Sequence, residues 1–330
     1  MLKQFLASIM LASTLIVSPA FSASTSTLSF STKDNILSLY SGEKNIGRFS
    51  NVLVSNPAMS SDVEKSVTGS PIIRIVTDGS RDKYDITIPI IELNGVAYTD
   101  CAYKSVFDSN DENRSVGVSC SLVPLRNFDP DAAVTKEHLI QYRTEFNWLR
   151  NNITKDCKSP LGIEYGKYHV VLCAAQSYPD PSKEITMVFD ENGIKIFSVR
   201  GYEFIPGGMS DREFALVGTS GDRVLFHVNS LECIVQREIS KKIPSRIAMI
   251  GKYNIRYYIS NLGKCVYGNY MYENKRDWIN FFGILSGDST EFLELTNNKN
   301  ISGLFNLSAN LANLKGNWLS VPPGKIFQIK

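Results

Sequence analysis

Histidine is scarce in this chain: His138, His169 and His227 are the only three among 330 residues. They form neither an HxH nor an HExxH pattern, which argues against the common histidine-based metal centres. The GxSxG, GxGxxG and GxxxxGK[ST] patterns are also missing, so neither a nucleophile elbow nor a phosphate-binding loop is indicated. We therefore expect no metal and no cofactor, and the sequence assigns no catalytic residue.

Long apolar runs are also lacking, apart from one near the start. The 13 mainly apolar residues from Phe5 to Val17 follow Lys3, and Ala20-Phe21-Ser22 offers small residues to a signal peptidase. No later segment reaches the 18 consecutive apolar residues expected of a membrane-spanning helix. The pattern predicts a signal peptide over residues 1–22. We expect an exported chain, with the periplasm favoured over the extracellular space, and not an integral membrane protein after cleavage.

Cysteines are few and widely spaced. The chain has six, and no two lie closer than 16 positions, which excludes CxxC redox pairs and zinc knuckles. An even number in an exported chain favours structural disulfides. Six cysteines allow fifteen pairings. We predict the sequential one, which joins Cys101 to Cys120, Cys157 to Cys173 and Cys233 to Cys265.

Length and composition describe a globular chain of one large domain or two ordinary ones. Hydrophobic residues make up 43% of the chain and charged residues 21%, which leaves enough apolar material for a core. Collagen-like and wholly disordered chains are excluded on the same grounds. Composition alone does not indicate a reaction.

The pattern from residue 23 to residue 126 is typical of short antiparallel strands. Apolar and polar residues alternate in Ile36 to Tyr40, and Tyr84 to Leu93 is a β-branched run. Asn94-Gly95 follows that run and is typical of a two-residue hairpin turn, in which both central residues need a positive φ. Six or more strands at this spacing predict a β-sandwich-like N-terminal lobe over residues 23–126.

Residues 127–330 are predicted to form a helix and a second β-rich lobe. Asp129 and Pro130 are typical of a helix start, and the apolar spacing predicts that this helix continues to Arg150. Helical spacing is also found in Arg276 to Leu285 and in Leu304 to Leu314. The predicted fold class is therefore mainly β with a few helices (α+β), with the last helices near the C-terminus.

Basic residues are concentrated in one segment. The chain has 35 basic and 33 acidic residues, yet seven basic residues and a single acid, Glu238, lie between Cys233 and Lys264. Such a segment attracts an anionic surface or an acidic partner, unless its cations point in different directions and pair with acids elsewhere. Tyrosines in the same region offer rigid contact area or pack within a sheet. The predicted binding residues are Arg237, Lys241, Lys242, Arg246, Lys252, Arg256, Tyr257, Tyr267 and Tyr270.

Three functional hypotheses follow. The leading one is an exported, disulfide-stabilised, non-enzymatic protein that binds a macromolecular partner through residues 237–278, as an inhibitor, an immunity protein or an envelope accessory factor. Its partner is expected to be a protein or an anionic envelope component, and not nucleic acid; the oligomeric state is not predicted. One alternative is a secreted or periplasmic hydrolase of glycan or peptidoglycan that uses two carboxylates, with Glu164, Glu203 and Glu213 as candidates. The other is an adhesin or pilus-associated subunit.

Overall fold

Nearly every element in the described part of the chain is a β-strand. The computed structural model describes residues 28–53, 55–56, 58–66, 70–77, 82–108, 113–135, 139–143, 157, 160–173, 184–207, 214–218, 225–228, 231, 246–263, 265–286, 289–308, 310, 313–321 and 325–330. Within these ranges the exceptions are a 3-10 turn, Leu125–Asn127, and a single-turn α-helix, α1, at Pro130–Ala133. The prediction of a mainly β protein is confirmed.

Two sheets form the first part of the described chain. The first sheet has the order β1-β2-β3, and the second has nine strands in the order β12-β10-β9-β7-β6-β5-β4, with β8 and β11 attached beside β7. The bounds are β1 Leu28–Lys33, β2 Ile36–Ser41, β3 Lys44–Phe49, β4 Ser55–Asn56, β5 Met59–Lys65, β6 Pro71–Thr77, β7 Asp82–Leu93, β8 Val96–Thr99, β9 Ala102–Asp108, β10 Asn113–Ser119, β11 Val123–Pro124 and β12 Leu139–Gln141.

These two sheets share one apolar core. Leu37 and Leu39 of β2 are buried together with Ile73 of β6 and Ile86 of β7. The hairpin between β7 and β8 turns at Asn94-Gly95, whose φ values are 54° and 78°, so both residues adopt the positive φ that this turn requires. The predicted hairpin is therefore present.

Two smaller sheets follow. The four-stranded sheet has the order β13-β14-β15-β16, and the three-stranded sheet has the order β17-β18-β19. The bounds are β13 Pro160–Tyr165, β14 Tyr168–Cys173, β15 Ile185–Phe189, β16 Lys195–Arg200, β17 Tyr202–Pro206, β18 Phe214–Gly218 and β19 Leu225–Val228. Isolated bridges join the four-stranded sheet to its neighbours, through Arg143 with Gly162 at one edge and Ser198 with Asn300 at the other.

The last eight strands close into an antiparallel barrel, in which each strand pairs with the next and β27 returns to β20. The bounds are β20 Arg246–Ile250, β21 Tyr253–Leu262, β22 Cys265–Tyr272, β23 Ile279–Ser286, β24 Ser289–Leu295, β25 Ile301–Ser308, β26 Gly316–Ser320 and β27 Ile326–Ile329. Closure pairs both edges of the sheet, which an open sheet would leave exposed.

The barrel is apolar on both faces over part of its wall. Its interior is filled by rings such as Tyr257, Tyr270 and Phe305. On the exterior, Tyr267, Phe282, Leu293, Leu304 and Leu319 are neighbours across successive strands and belong to the core that contains Phe204 and Val116 of the preceding sheets. The barrel therefore packs against the rest of the described chain on this side, and its opposite wall faces outward.

The two predicted C-terminal helices are wrong in their described parts, and the first predicted helix is much shorter than expected. The first starts as predicted, because the Asp129 side chain accepts from the Asp131 amide and Pro130 takes the first helical position. It ends at Ala133, however, and Leu139–Gln141 is a strand at the edge of β10. The C-terminal predictions fall on barrel strands, since Ile279–Ser286 is β23 and Ile301–Ser308 is β25.

Two of the predicted disulfides are present. Cys101 is bonded to Cys120, and Cys157 to Cys173. Cys265 is also disulfide-bonded, whereas Cys233 lies outside the described residues. In the described part of the chain, no helix has the length and apolar character needed to cross a membrane. The predicted signal peptide lies outside the described residues, and the domain boundary near residue 126 stays a prediction.

Candidate binding surface on the barrel

The predicted cations that the structure describes lie along one hairpin, formed by β20 and β21. Arg246 is exposed at the first position of β20, Lys252 in the turn and Arg256 on the outer face of β21. Since six residues of extended chain span about 20 Å, the three cations form a band along the hairpin rather than a compact cluster. Arg246 pairs directly with Tyr257 and therefore has inner-face parity, at the first position of its strand, whereas Arg256 lies on the outer face. Arg237, Lys241 and Lys242 lie outside the described residues.

This band contains no opposite charge of its own. Residues 246–263 include no aspartate or glutamate. Neither Arg246 nor Arg256 forms an ion pair with another residue that the structure describes, and the Lys252 ammonium lies 5.5 Å from the centre of the Tyr253 ring. The charges of this hairpin therefore face solvent without a counter-ion from the described chain.

The three predicted tyrosines are core residues rather than surface contacts. Tyr257 and Tyr270 point into the barrel, because their positions pair directly across β21 and β22 on the inner face. Tyr267 points outward but is buried where the barrel meets the other sheets. Alternation explains the difference, since neighbouring residues of a strand face opposite sides.

Other residues take the place of these tyrosines on the outer face. Ile247 of β20 is 69% exposed and Met249 is 37% exposed, although both are large apolar side chains. Ile247 pairs with Arg256, which in turn pairs with Met271 of β22. Apolar and cationic side chains therefore share one outward row, a composition found in interfaces more than on inert surfaces.

An aromatic pair and an amide pair lie beside this row. The rings of Tyr258 and Trp278 are stacked, with centres 4.7 Å apart and planes 21° apart. Tyr258 pairs across the strands with Asn269, and Asn269 pairs with Asn280 of β23. The Asn269 side-chain amide donates to the Asn280 side-chain oxygen at 3.1 Å. All four side chains are half-buried.

A buried carboxylate lies inside the barrel. Glu294 is 4% exposed and accepts from the hydroxyls of Tyr270 and Ser302, each at 2.6 Å, and from the indole N–H of Trp318 at 2.7 Å. Burial, together with the Glu294 charge, raises the pKa of the Tyr270 hydroxyl, which therefore stays protonated as a donor. Three donors compensate the buried charge, and the arrangement is that of a structural network.

A second buried cluster joins three sheets. The Arg114 guanidinium of β10 donates to both carboxylate oxygens of Glu184, at 2.9 and 3.0 Å, and its Nε lies 2.6 Å from Oε1 of Glu203 in β17. Burial raises the pKa of Glu203, and the neighbouring Glu184 charge adds to this, while Arg114 opposes it. Burial lowers the pKa of Arg114, but the two glutamates outweigh burial and raise it overall.

The predicted hydrolase carboxylates are not brought together in the described residues. Glu203 is 2% exposed and paired with Arg114, whereas Glu164 is exposed on β13 and pairs across the sheet with His169. Glu213 lies outside the described residues. The residues that share a site with Glu203 are Arg114 and Glu184, which sequence spacing did not single out. Among the described residues no group of three metal-ligating side chains occurs.

The sequence contained a signal for the outer face. Ile247 and Met249 are two positions apart in β20, and Arg256 and Tyr258 are two positions apart in β21. Because side chains alternate between the two faces of a strand, each of these pairs must lie on one face. Alternation does not show which of the two faces points into the barrel. The inward face is set by strand pairing in the closed barrel, which depends on strands far along the chain.

Neither a scan against protein-family models nor a search of curated proteins found a match to this chain.

Proposed function

We propose that this protein is an exported, disulfide-stabilised binding protein that holds an acidic macromolecular partner on the outer face of the barrel hairpin β20–β21. The export is inferred from the sequence of residues 1–22, and two structural disulfides fit an oxidising destination. The binding role is that of an envelope accessory factor, an inhibitor or an immunity protein.

The observation that carries this proposal is the composition of one outward row. Ile247 is a large apolar residue at 69% exposure, and beside it lies Arg256, a cation that forms no ion pair within the described chain. Exposed apolar area supplies contact energy on binding, and an unneutralised positive band attracts a negative partner over roughly one Debye length. Charge complementarity therefore favours an acidic partner.

The proposal is tested with defined anionic macromolecules. The mature chain, with its disulfides formed, is titrated against poly-L-glutamate, polygalacturonate and phosphatidylglycerol vesicles, with neutral dextran as the uncharged reference. Binding to at least one anionic probe is expected to weaken as salt rises from 50 to 300 mM, and the double variant K252E/R256E should weaken it by at least about tenfold at low salt.

The matched control is K44E/R48E, which makes the same change in net charge at two exposed positions of β3, in the first sheet. This control should bind within about twofold of the unmodified chain. Absence of binding to every anionic probe, or an equal loss in both double variants, would overturn the proposed surface.

A further inference from the structure

The aromatic and amide pairs on the outer wall of the barrel lie next to a cation that forms no ion pair with any residue the structure describes. On β21, Tyr258 follows Arg256 by two positions, so both side chains leave the same face about 7 Å apart. Asn269 and Asn280 continue the row from Tyr258 across β22 and β23, and Trp278 stacks on Tyr258. Two stacked rings, two amides and one guanidinium thus form one continuous surface, named here the 256–280 strip.

The hydrogen bond between Asn269 and Asn280 leaves one side-chain acceptor and one side-chain donor that can bind the hydroxyl groups of a ligand. The Asn269 N–H donates to Asn280, and the side-chain oxygen of Asn269 and the amino group of Asn280 have no further partner among the described residues. One free acceptor and one free donor group therefore lie side by side. A hydroxyl both donates and accepts a hydrogen bond, so neighbouring hydroxyls on a sugar ring match this pair in both roles.

The rings and the guanidinium suit the remaining parts of an acidic sugar. The C–H faces of a pyranose pack on aromatic rings through the same dispersion and apolar contact that bury aliphatic groups. A planar guanidinium binds a carboxylate through two parallel N–H bonds. An acidic polypeptide would use the cations of the strip but offers no ring of hydroxyls for Asn269 and Asn280.

The extent of the cationic band also favours a polymer. Arg256 pairs with Ile247 near the start of β20, and Lys252 lies in the turn at the other end of the hairpin, about 15 Å along the strand. An extended chain with repeated carboxylates can meet Arg256 and Lys252 at once, whereas a single small anion meets one of them. Repeated weak contacts of this kind raise the overall affinity through effective concentration.

We propose that the 256–280 strip binds an acidic polysaccharide of the uronic-acid class, with Tyr258 and Trp278 against the sugar ring, Asn269 and Asn280 on its hydroxyls, and Arg256 on its carboxylate. This inference rests on the proposed function, because it assigns the ligand class of the same outer wall of the barrel.

The test uses the full mature chain and two anionic probes of different chemistry, polygalacturonate and poly-L-glutamate. W278A and N269A/N280A are each expected to weaken binding to polygalacturonate by at least about tenfold while leaving poly-L-glutamate binding within about twofold. R256E should weaken both. W278F keeps an aromatic ring at the position and should recover most of the polygalacturonate affinity, which a loss of folding would not allow.

The controls are Y98A, a half-buried tyrosine of β8, and N45A, an exposed asparagine of β3, neither of which should change binding to polygalacturonate. Equal losses on both probes in W278A would overturn the sugar assignment, as would unchanged polygalacturonate binding in both W278A and N269A/N280A. Binding of the unmodified chain to poly-L-glutamate or anionic vesicles without polygalacturonate would overturn this inference and support the proposed function. Failure of every anionic probe would overturn both.

Discussion

Glu294 shows how a closed barrel accommodates a charge in its interior. Its position is opposite Gly303 on β25, where a β-carbon would overlap the Trp318 indole nitrogen, so the absence of a side chain there makes room for the indole that donates to the carboxylate. Gly268 of β22 likewise leaves room for the ring of Phe281, its partner on β23, which a β-carbon at position 268 would overlap. Small residues at inner positions thus decide where large and polar ones fit.

Removal of the Glu294 carboxylate should destabilise the barrel strongly. In E294A the Tyr270 hydroxyl and the Trp318 N–H lose their acceptor inside an apolar core, and each buried donor left without a partner costs on the order of 1–3 kcal/mol. We expect the free energy of unfolding to fall by about 3 kcal/mol, measured by urea denaturation of the oxidised protein.

The exposed Glu273 provides the comparison for this measurement. Its carboxylate accepts from the Asn254 side chain at 3.0 Å on the surface of the same barrel, so E273A should lower the free energy of unfolding by less than about 0.5 kcal/mol. If E294A and E273A shift the urea midpoint equally, the buried network does not stabilise the barrel.

The C-terminal strands explain why the predicted helices are wrong. β23 has Phe281 on the inner face and Phe282 on the outer face, and both are buried, the first in the barrel and the second against the other sheets. β25 likewise buries Leu304 outward and Phe305 inward. A strand covered on both faces loses its period-2 pattern, and its apolar run resembles a buried helix.

The first part of the chain was predictable because its signals are local. Alternating residues and the Asn94-Gly95 turn specify strands and a hairpin without reference to distant segments. Asp129 and Pro130 likewise specify a helix start, but they carry no information about its length, and the edge of β10 was available to pair with Leu139–Gln141. The closure of the barrel and the burial of Tyr257, Tyr267 and Tyr270 depend on long-range pairing and could not be read from spacing.

The disulfide between Cys101 and Cys120 closes the open end of one hairpin. It lies directly beyond the pair Ala102 and Ser119, the last in the register of β9 and β10, and the two cysteines are 19 positions apart. In the loop-entropy model, a loop of this size contributes about 3 kcal/mol by restricting the unfolded chain. We therefore expect C101A/C120A to lower the free energy of unfolding by about 3 kcal/mol in urea denaturation.

The second described disulfide serves as a reference for this value. Cys157 and Cys173 are 16 positions apart, so the same model gives C157A/C173A a loss within about 0.5 kcal/mol of the first. An unchanged urea midpoint in C101A/C120A would contradict a stabilising role for the first bridge. Reduction of the unmodified chain should reproduce at least the larger of the two losses.

The sheets are connected by a charged cluster as well as by apolar packing. Arg114 belongs to the nine-stranded sheet, Glu184 lies directly before β15 of the four-stranded sheet, and Glu203 belongs to the three-stranded sheet. The Tyr142 hydroxyl, which donates to the Phe204 carbonyl at 3.2 Å, faces the same charges. Loss of the Arg114 charge would leave two carboxylates buried without compensation, so the cluster makes the mutual positions of the three sheets energetically specific.

The charges of this cluster do not balance, and this predicts how stability depends on pH. One guanidinium neutralises one carboxylate, so with both glutamates ionised a buried negative charge remains. Burial raises the pKa of Glu203 above its ordinary value of 4.5, which means that the folded state holds this proton more tightly than the unfolded state. The stabilisation from this group is fully present below the unfolded pKa and is lost as the pH rises through the higher folded pKa.

E203Q keeps the shape of the side chain but cannot lose a proton. We therefore expect its free energy of unfolding to fall less than that of the unmodified chain as the pH rises through this window. The free energy of unfolding in urea, measured at intervals from pH 4 to pH 9, gives both slopes, and the difference between them isolates Glu203 from the other titrating groups. E164Q is the matched control, because Glu164 is exposed on β13 and should leave the slope of the unmodified chain unchanged. Identical slopes for E203Q and E164Q would show that Glu203 holds its proton no more tightly in the folded protein than in the unfolded chain, and that the three sheets meet around a fully ionised cluster.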